Sequence, residues 1–436
     1  MPRHQKKDMT NRRDFLKKVG LASAATAVSA STLWSKPFTE VNKKLISPLL
    51  LPPPADDFWS WVRTQYAVSS SLLNLNNGGV SPQSKFVQDA FFRYTEMANE
   101  APTYYLWRIL EDGKDVVRGK LADLLGASPE EVAVNRNATE ALDTVIHGIP
   151  LNKGDEVVLS KYDYPRMVSA WKAREKREGI VLKWVDFDFP ENDETAMAHK
   201  YTSLFTSKTK VVHITHLINW VGQITPVKLI ATTAKKMGIK TLVDAAHSFA
   251  HIQFNVKDWD IDYLGTSLHK WLGSPFGTGM LYIRKEEIAG IKTFFSEDPI
   301  MEPGTIKKFE ELGTRATTAE LAIGEAVDFH LLIGSERKQE RLYELKKYWT
   351  EKVKSHPKIK ILTPESSQLS GALGLVCIEG HEAPDIDGYL LSQHRIHTVG
   401  IKYEKINGIR VTPNVYTSFD DLDRFCEALL KLANKN

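Results

Sequence analysis

The sequence predicts an α/β fold, with a domain built on a largely parallel sheet followed by a smaller α+β domain. Three observations predict it. Short apolar runs recur from about residue 130, stretches with helical periodicity separate them, and the alternation stops near residue 316. Runs of four to six residues rich in β-branched side chains suit strands buried on both faces, and strand, helix, strand repetition builds a parallel sheet.

Taken in order, residues 31–55 contain Pro37, Pro48, Pro52, Pro53 and Pro54 and read as a tether. Folded structure is expected from about Asp56, with residues 56–75 packing with the small domain, 76–315 forming the large domain and 316–436 the small one. The strand runs are Glu156–Ser160, Val181–Val185, Lys210–Thr215, Lys240–Asp244, Ile261–Gly265 and Gly279–Ile283. Pro226–Met237, with Gly238 behind it, reads as a helix closed by a C-terminal glycine. After residue 316 a long helical pattern runs through Lys354, followed by strand-like pieces at Leu373–Glu379 and Ile409–Thr412 and a helix from Asp420.

With 436 residues, 42% of them hydrophobic, the chain can bury a large core, and its two cysteines exclude a disulfide scaffold. The net charge of +3 is unevenly placed. Residues 1–30 carry seven Lys or Arg against two Asp, a surplus of five, which leaves −2 for residues 31–436 and gives no case for nucleic acid. Asn11-Arg12-Arg13-Asp14-Phe15-Leu16-Lys17-Lys18, followed by the mild apolar run Val19–Ala30, resembles a twin-arginine export signal. The run is too short to span a bilayer, and no second apolar segment is long enough. The resemblance implies an exported, periplasmic protein that meets the twin-arginine machinery already folded. The alternative is a basic N-terminus retained on a cytoplasmic protein.

Three clusters offer chemistry. Val134-Asn-Arg-Asn-Ala-Thr-Glu-Ala-Leu142 ends an extended piece and opens a helix. Asn137 and Glu140 have capping-box spacing, and the free N–H groups with the Thr139 hydroxyl suit a phosphate, although a plain cap would look the same. Asp244 ends a buried strand in Leu242-Val-Asp-Ala-Ala-His247 and needs a cation, which either a pyridinium nitrogen or an arginine would supply. Lys270, in Thr266-Ser-Leu-His-Lys270, precedes a glycine-rich turn. Partial desolvation there would free its amine for Schiff-base chemistry, whereas a surface lysine is the bland alternative. His213, His216, His247 and His251 permit a metal reading, but no supporting carboxylate spacing accompanies them.

Together and in this order, these clusters resemble the class V aminotransferase family of pyridoxal-phosphate enzymes, which includes cysteine desulfurases and isopenicillin N epimerase-like proteins. The resemblance runs from about Leu75 to the C-terminus. It rests on Asn76-Asn-Gly-Gly79, Asn137-Ala-Thr-Glu140, Asp163-Tyr-Pro165, Thr215-His216 with Asn219 and Gly222, Asp244-Ala-Ala-His247, Ser267-Leu-His-Lys270, Gly313-Thr314 and Arg410. It implies a fold-type I enzyme using pyridoxal 5'-phosphate, with Lys270 as the Schiff-base lysine and proton shuttle and Asp244 on the pyridine nitrogen. Tyr164 would stack on the cofactor. Asn137, Ala138, Thr139, Ser267 and His269 would form the phosphate site, with Thr314 contributed by the other subunit of a homodimer. Asn219 and His247 would lie by the phenolic oxygen. Arg410 would bind the substrate carboxylate, and Asn76 would also contact the substrate.

Departures narrow the chemistry. Desulfurases need a nucleophilic cysteine on a mobile loop ahead of the C-terminal arginine, and Val399–Ile409 has none. Cys377 comes too early, within a predicted strand, and His247 stands where desulfurases commonly have Gln. The expected activity is therefore epimerase-like or aminotransferase chemistry at the α-carbon of an amino acid or derivative. A C–S or other β-lyase and an inactive exported binding protein are the alternatives, and no metal is expected.

Overall fold

The computed structural model describes residues 58–293 and 301–435. The signal at 1–30 and the tether at 31–55 lie outside the described residues. In the large sheet the strands are β2 (Val132–Asn135), β3 (Glu156–Ser160), β4 (Val181–Val185), β5 (Thr209–Thr215), β6 (Lys240–Asp244), β7 (Tyr263–Ser267) and β8 (Gly279–Ile283), ordered β2-β8-β7-β6-β5-β3-β4. From β7 to β4 every pairing is parallel, while β8 runs antiparallel to both β7 and β2. The sheet is thus mixed but mostly parallel, as the apolar runs predict.

Both faces are covered. Along β3, Val158 belongs to one core while Val157 and Leu159 belong to the other, and Val243 and Leu242 divide the same way on β6. Helices α3 (Ala138–Gly148) and α4 (Pro165–Glu178) fill one face. Helices α1 (Lys85–Glu100), α2 (Gly113–Leu125), α5 (Glu194–Thr202) and α6 (Val227–Lys236) contribute to the other. Period-two alternation of apolar side chains on a two-sided core is what makes these strands read as unbroken hydrophobic runs.

One strand sits two residues later than the expected Ile261–Gly265. The Asp262 carboxylate accepts the Thr241 N–H at 2.8 Å, so this segment caps its neighbour before β7 begins at Tyr263. The shift delivers Ser267 to the strand's carboxyl end.

A second sheet of four strands has the order β12 (Val399–Tyr403), β13 (Ile406–Val411), β10 (Gly374–Ile378) and β9 (Ile359–Ile361). Its core is filled by α8 (Ser335–Val353), α9 (Ala383–His394) and α10 (Phe419–Ala433). The long helical pattern after 316 is in fact three helices: Thr317–Leu321, α7 (Ile323–Ile333) and α8. Gly334, at φ +90°, breaks the last two apart, because that backbone conformation lies outside the helical region. A third, two-stranded sheet pairs β1 (Leu73–Asn74) in parallel with β11 (Ile396–His397).

Chain order reverses between β3 and β5. From β3 the chain winds outward to β4, then crosses back to β5 and continues through β6 and β7. In open α/β sheets ligands bind at the strands' carboxyl ends beside such a reversal. Here the buried Asp163, just past β3, accepts the Thr215 hydroxyl at the end of β5 at 2.6 Å, bridging the crevice.

Candidate active site

The N-terminus of α3 forms the first wall. Asn137 caps it by accepting the Glu140 N–H at 2.9 Å, and Ser267 Oγ accepts the Ala138 N–H at 2.9 Å. The Thr139 hydroxyl takes no hydrogen bond among the described residues. Gly279 lies directly beneath, where a Cβ would come within 2.6 Å of Asn137 Cα, so the strand passes under the helix start only as glycine. His269 donates from Nδ1 to the Thr278 carbonyl at 2.9 Å, leaving Nε2 unengaged. Two hydroxyls and an imidazole at the start of a helix make a cradle for a phosphate.

Lys270 follows β7 by three residues. Its Nζ lies 2.9 Å from His247 Nε2. Removal from water, reinforced by the Arg410 charge and opposed by Asp244, lowers the amine to about 8. Asp244 is buried at the end of β6 and burial raises its pKa, against the Ala246 N–H and the Lys270 charge. Its side chain makes one hydrogen bond among the described residues, with Oδ1 accepting from Ala246 N at 2.9 Å. His247 is held neutral, first by burial and then by Lys270 and Arg410, and its buried Nδ1 has no partner.

Arg410 is 7% exposed and forms no ion pair among the described residues. Burial lowers it to about 10. Its Nη1 donates to the Asn219 carbonyl and its Nη2 to Asn76 Oδ1, both at 3.0 Å, while Nε has no partner. A buried guanidinium without a carboxylate is costly, and the arrangement suits a ligand that brings one.

Asn137, Ala138, Ser267, His269, Lys270, His247 and Asp244 therefore gather at the carboxyl ends of β6 and β7, and Arg410 meets both the Asn76 side chain and the Asn219 carbonyl. Tyr164 and Thr314 make no hydrogen bond to these residues among the described residues. Tyr164 stands at the start of α4 with 41% of its surface exposed, and Thr314 is an exposed loop residue.

Asp163 received no role from the sequence, yet burial raises its pKa to about 7 against bonds from Thr215 and the Ser160 N–H, with Asp244 adding to the rise. Its position one residue before Tyr164 was the available signal. Also unanticipated is the layer behind Lys270. His251 stacks on Trp271 at 3.9 Å between ring centroids and donates to the His247 carbonyl, while buried Lys338 donates to the Trp271 carbonyl. The other histidines serve packing: His213 accepts from Trp171 Nε1, and His216 packs edge-on against Phe254 and Trp259.

The donor set fits the pyridoxal phosphate that the sequence resemblance implies. The cradle suits its phosphate, the partnerless Oδ2 of Asp244 suits a protonated ring nitrogen, and the orphaned His247 Nδ1 suits a further polar group. A pH dependence follows. The neutral fraction of an amine near 8 grows about tenfold per pH unit below that value and saturates above it. Uptake of pyridoxal phosphate by apo-protein, followed by stopped-flow absorbance, is expected to accelerate up to about pH 8 and then level off. A rate still climbing at pH 10 would show that Lys270 is not desolvated.

The aminotransferase class-V family model matches residues 94–424. The chain is 27% identical over 393 residues to an isopenicillin N epimerase from Streptomyces clavuligerus, covering 85% of this chain and 97% of that protein. It is also 27% identical to a probable cysteine desulfurase from Synechocystis, covering 82% and 90%. Among solved structures, an apo cysteine desulfurase from Thermococcus onnurineus superposes with a TM-score of 0.76 at 23% identity, covering 86% of this chain and 98% of that one. A lysine mutant of C-DES, with glycine covalently linked to its PLP cofactor, superposes at 0.77 with 20% identity, covering 86% and 99%. The fold is accordingly the fold-type I architecture.

Proposed function

Because the chain belongs to the aminotransferase class-V family, we propose that it is a pyridoxal-phosphate enzyme acting at the α-carbon of an amino acid or a derivative, in epimerase-like or aminotransferase chemistry. The observation that carries this reading is Arg410, buried without an acid partner among the described residues and close enough to Lys270 to lower its pKa. Bound pyridoxal phosphate supplies an aldehyde that condenses with amines and a ring that takes up the electron pair left when the α-proton departs. Lys270 holds the aldehyde and carries the proton, with His247 beside it to keep the amine oriented. Asp244 keeps the ring nitrogen protonated, and Arg410 with Asn219 and Asn76 orients the substrate carboxylate.

The cysteines argue against desulfuration. Cys377 sits in β10 and Cys426 in α10, and burial raises their thiols to about 11 and about 12, so neither offers a thiolate. Absorbance titration of purified holoenzyme with a panel of D- and L-amino acids tests the reading. Spectral change with at least one of them is expected, together with either exchange of the α-proton into deuterated water or accumulation of the amine form of the cofactor. Sulfide release from cysteine without either would overturn it. The homodimer and export remain proposals of the same kind. A solution mass of one chain for active enzyme would overturn the first, and normal processing in cells carrying Arg12→Lys with Arg13→Lys the second.

A further inference from the structure

We infer that His397 is a positioning residue for substrate-carboxylate recognition, acting through Asn76 on Arg410. The inference rests on the reading of Arg410 given above.

Arg410 lies on β13, opposite Leu375 on β10 and Val399 on β12. Its guanidinium has only donors, so the Asn76 amide must turn its oxygen to it, and Nη2 meets Oδ1 at 3.0 Å. The Asn76 NH₂ then points the other way, where Nδ2 meets His397 Nε2 at 3.4 Å. An amide NH₂ is a donor only, so Nε2 must be the accepting nitrogen and the ring proton resides on Nδ1. The guanidinium and the histidine thus favour the same orientation of Asn76, and the histidine holds it from the far side. Without that acceptor the amide is held by the guanidinium alone and is free to swing away from it.

The backbone allows little other freedom. Leu75 N–H donates to the His397 carbonyl at 2.8 Å, and Thr412 N–H donates to the Leu75 carbonyl at 2.7 Å. Gly78 N–H donates to the Thr412 hydroxyl at 2.9 Å. The Asn76 main chain is therefore stitched between β11 and the end of β13, and its side-chain amide is the remaining variable. Arg410's other arm is already fixed on the Asn219 carbonyl. The state of one amide decides whether the guanidinium is held from both sides or from one.

Two reagents that react with the bound cofactor separate this role from general damage. Aminooxyacetate carries a carboxylate and O-methylhydroxylamine does not. The rate at which each bleaches the cofactor absorption of holoenzyme is measured for wild type and variants. In His397→Ala the aminooxyacetate rate constant is expected to fall about five- to tenfold, the value of one hydrogen bond, with the O-methylhydroxylamine rate unchanged. His397→Gln, which can again offer an accepting oxygen, is expected to recover most of the loss. Unchanged rates with both reagents, a fall with both, or no recovery in His397→Gln would each overturn the inference. Arg410→Ala is the parallel control. If it shows the selective loss while His397→Ala does not, the positioning role fails and the carboxylate role stands. If it shows no selective loss, the carboxylate role itself fails.

Discussion

Lys270→Ala is expected to lower turnover by at least about 10³-fold and to remove the covalent cofactor band from the purified protein, even when pyridoxal phosphate is present in excess. The amine lies three residues past the carboxyl end of β7, and its pKa near 8 leaves a useful neutral fraction at physiological pH. Nothing nearby replaces it. His247 is a neutral imidazole, and Lys338, although burial lowers it to about 7, is committed to the Trp271 carbonyl on the far side of the turn. Borohydride reduction followed by peptide mapping should place the cofactor on Lys270 in wild type and nowhere in the variant. Retained labelling in Lys270→Ala would sink the assignment.

Asp244→Asn is expected to reduce kcat by about 10²–10³-fold while leaving the apo-protein at least as stable. The two halves of that expectation share a cause. Asp244 is buried and its pKa is raised in the folded state, so keeping it ionised at neutral pH costs stability, and removing the charge relieves that cost. The carboxylate is worth its position only when a protonated ring nitrogen faces it. Asparagine fills the same space and can still accept from Ala246, but it cannot hold that proton. Thermal melting of apo-protein beside steady-state kinetics of holoenzyme separates the two. A large drop in melting temperature would reassign Asp244 to a structural role.

The residues most legible in the sequence were those that follow an apolar run, because an open α/β sheet sends its functional groups to strand ends. Asp244, Ser267 and Lys270 belong to this class, and Asn137 announced itself by capping-box spacing with Glu140. Asn76 and Arg410 were legible only through the family resemblance, since 334 residues separate them and no local pattern joins them. The layer behind Lys270 was not legible. Lys338 lies on an amphipathic helix where a lysine reads as solvent-facing, and only the packing of α8 beneath Trp271 buries it. His397 had no signal either, because its meaning depends on the orientation of an amide contributed from the other end of the chain. The roles implied for Tyr164, stacking on a cofactor, and for Thr314, acting across a dimer, involve groups outside the chain and so leave no hydrogen bond to the cluster among the described residues. The helical stretch after 316 reads as continuous in sequence because one glycine at positive φ leaves the apolar pattern around it almost undisturbed.

The stitching of Leu75–Gly78 to His397 and Thr412 bears on when the enzyme becomes competent during synthesis. The cradle residues that one chain supplies around Lys270 all lie within residues 137–279, so a nascent chain can assemble them while its last third is still being made. The carboxylate grip proposed for Arg410 cannot form until the Leu75–Gly78 segment meets one of the latest strands. Contacts of such sequence separation are slow to close. A ribosome-bound intermediate is therefore expected to acquire the means to bind its cofactor well before it can hold a substrate, and the order of those two events is written into the connectivity of the fold.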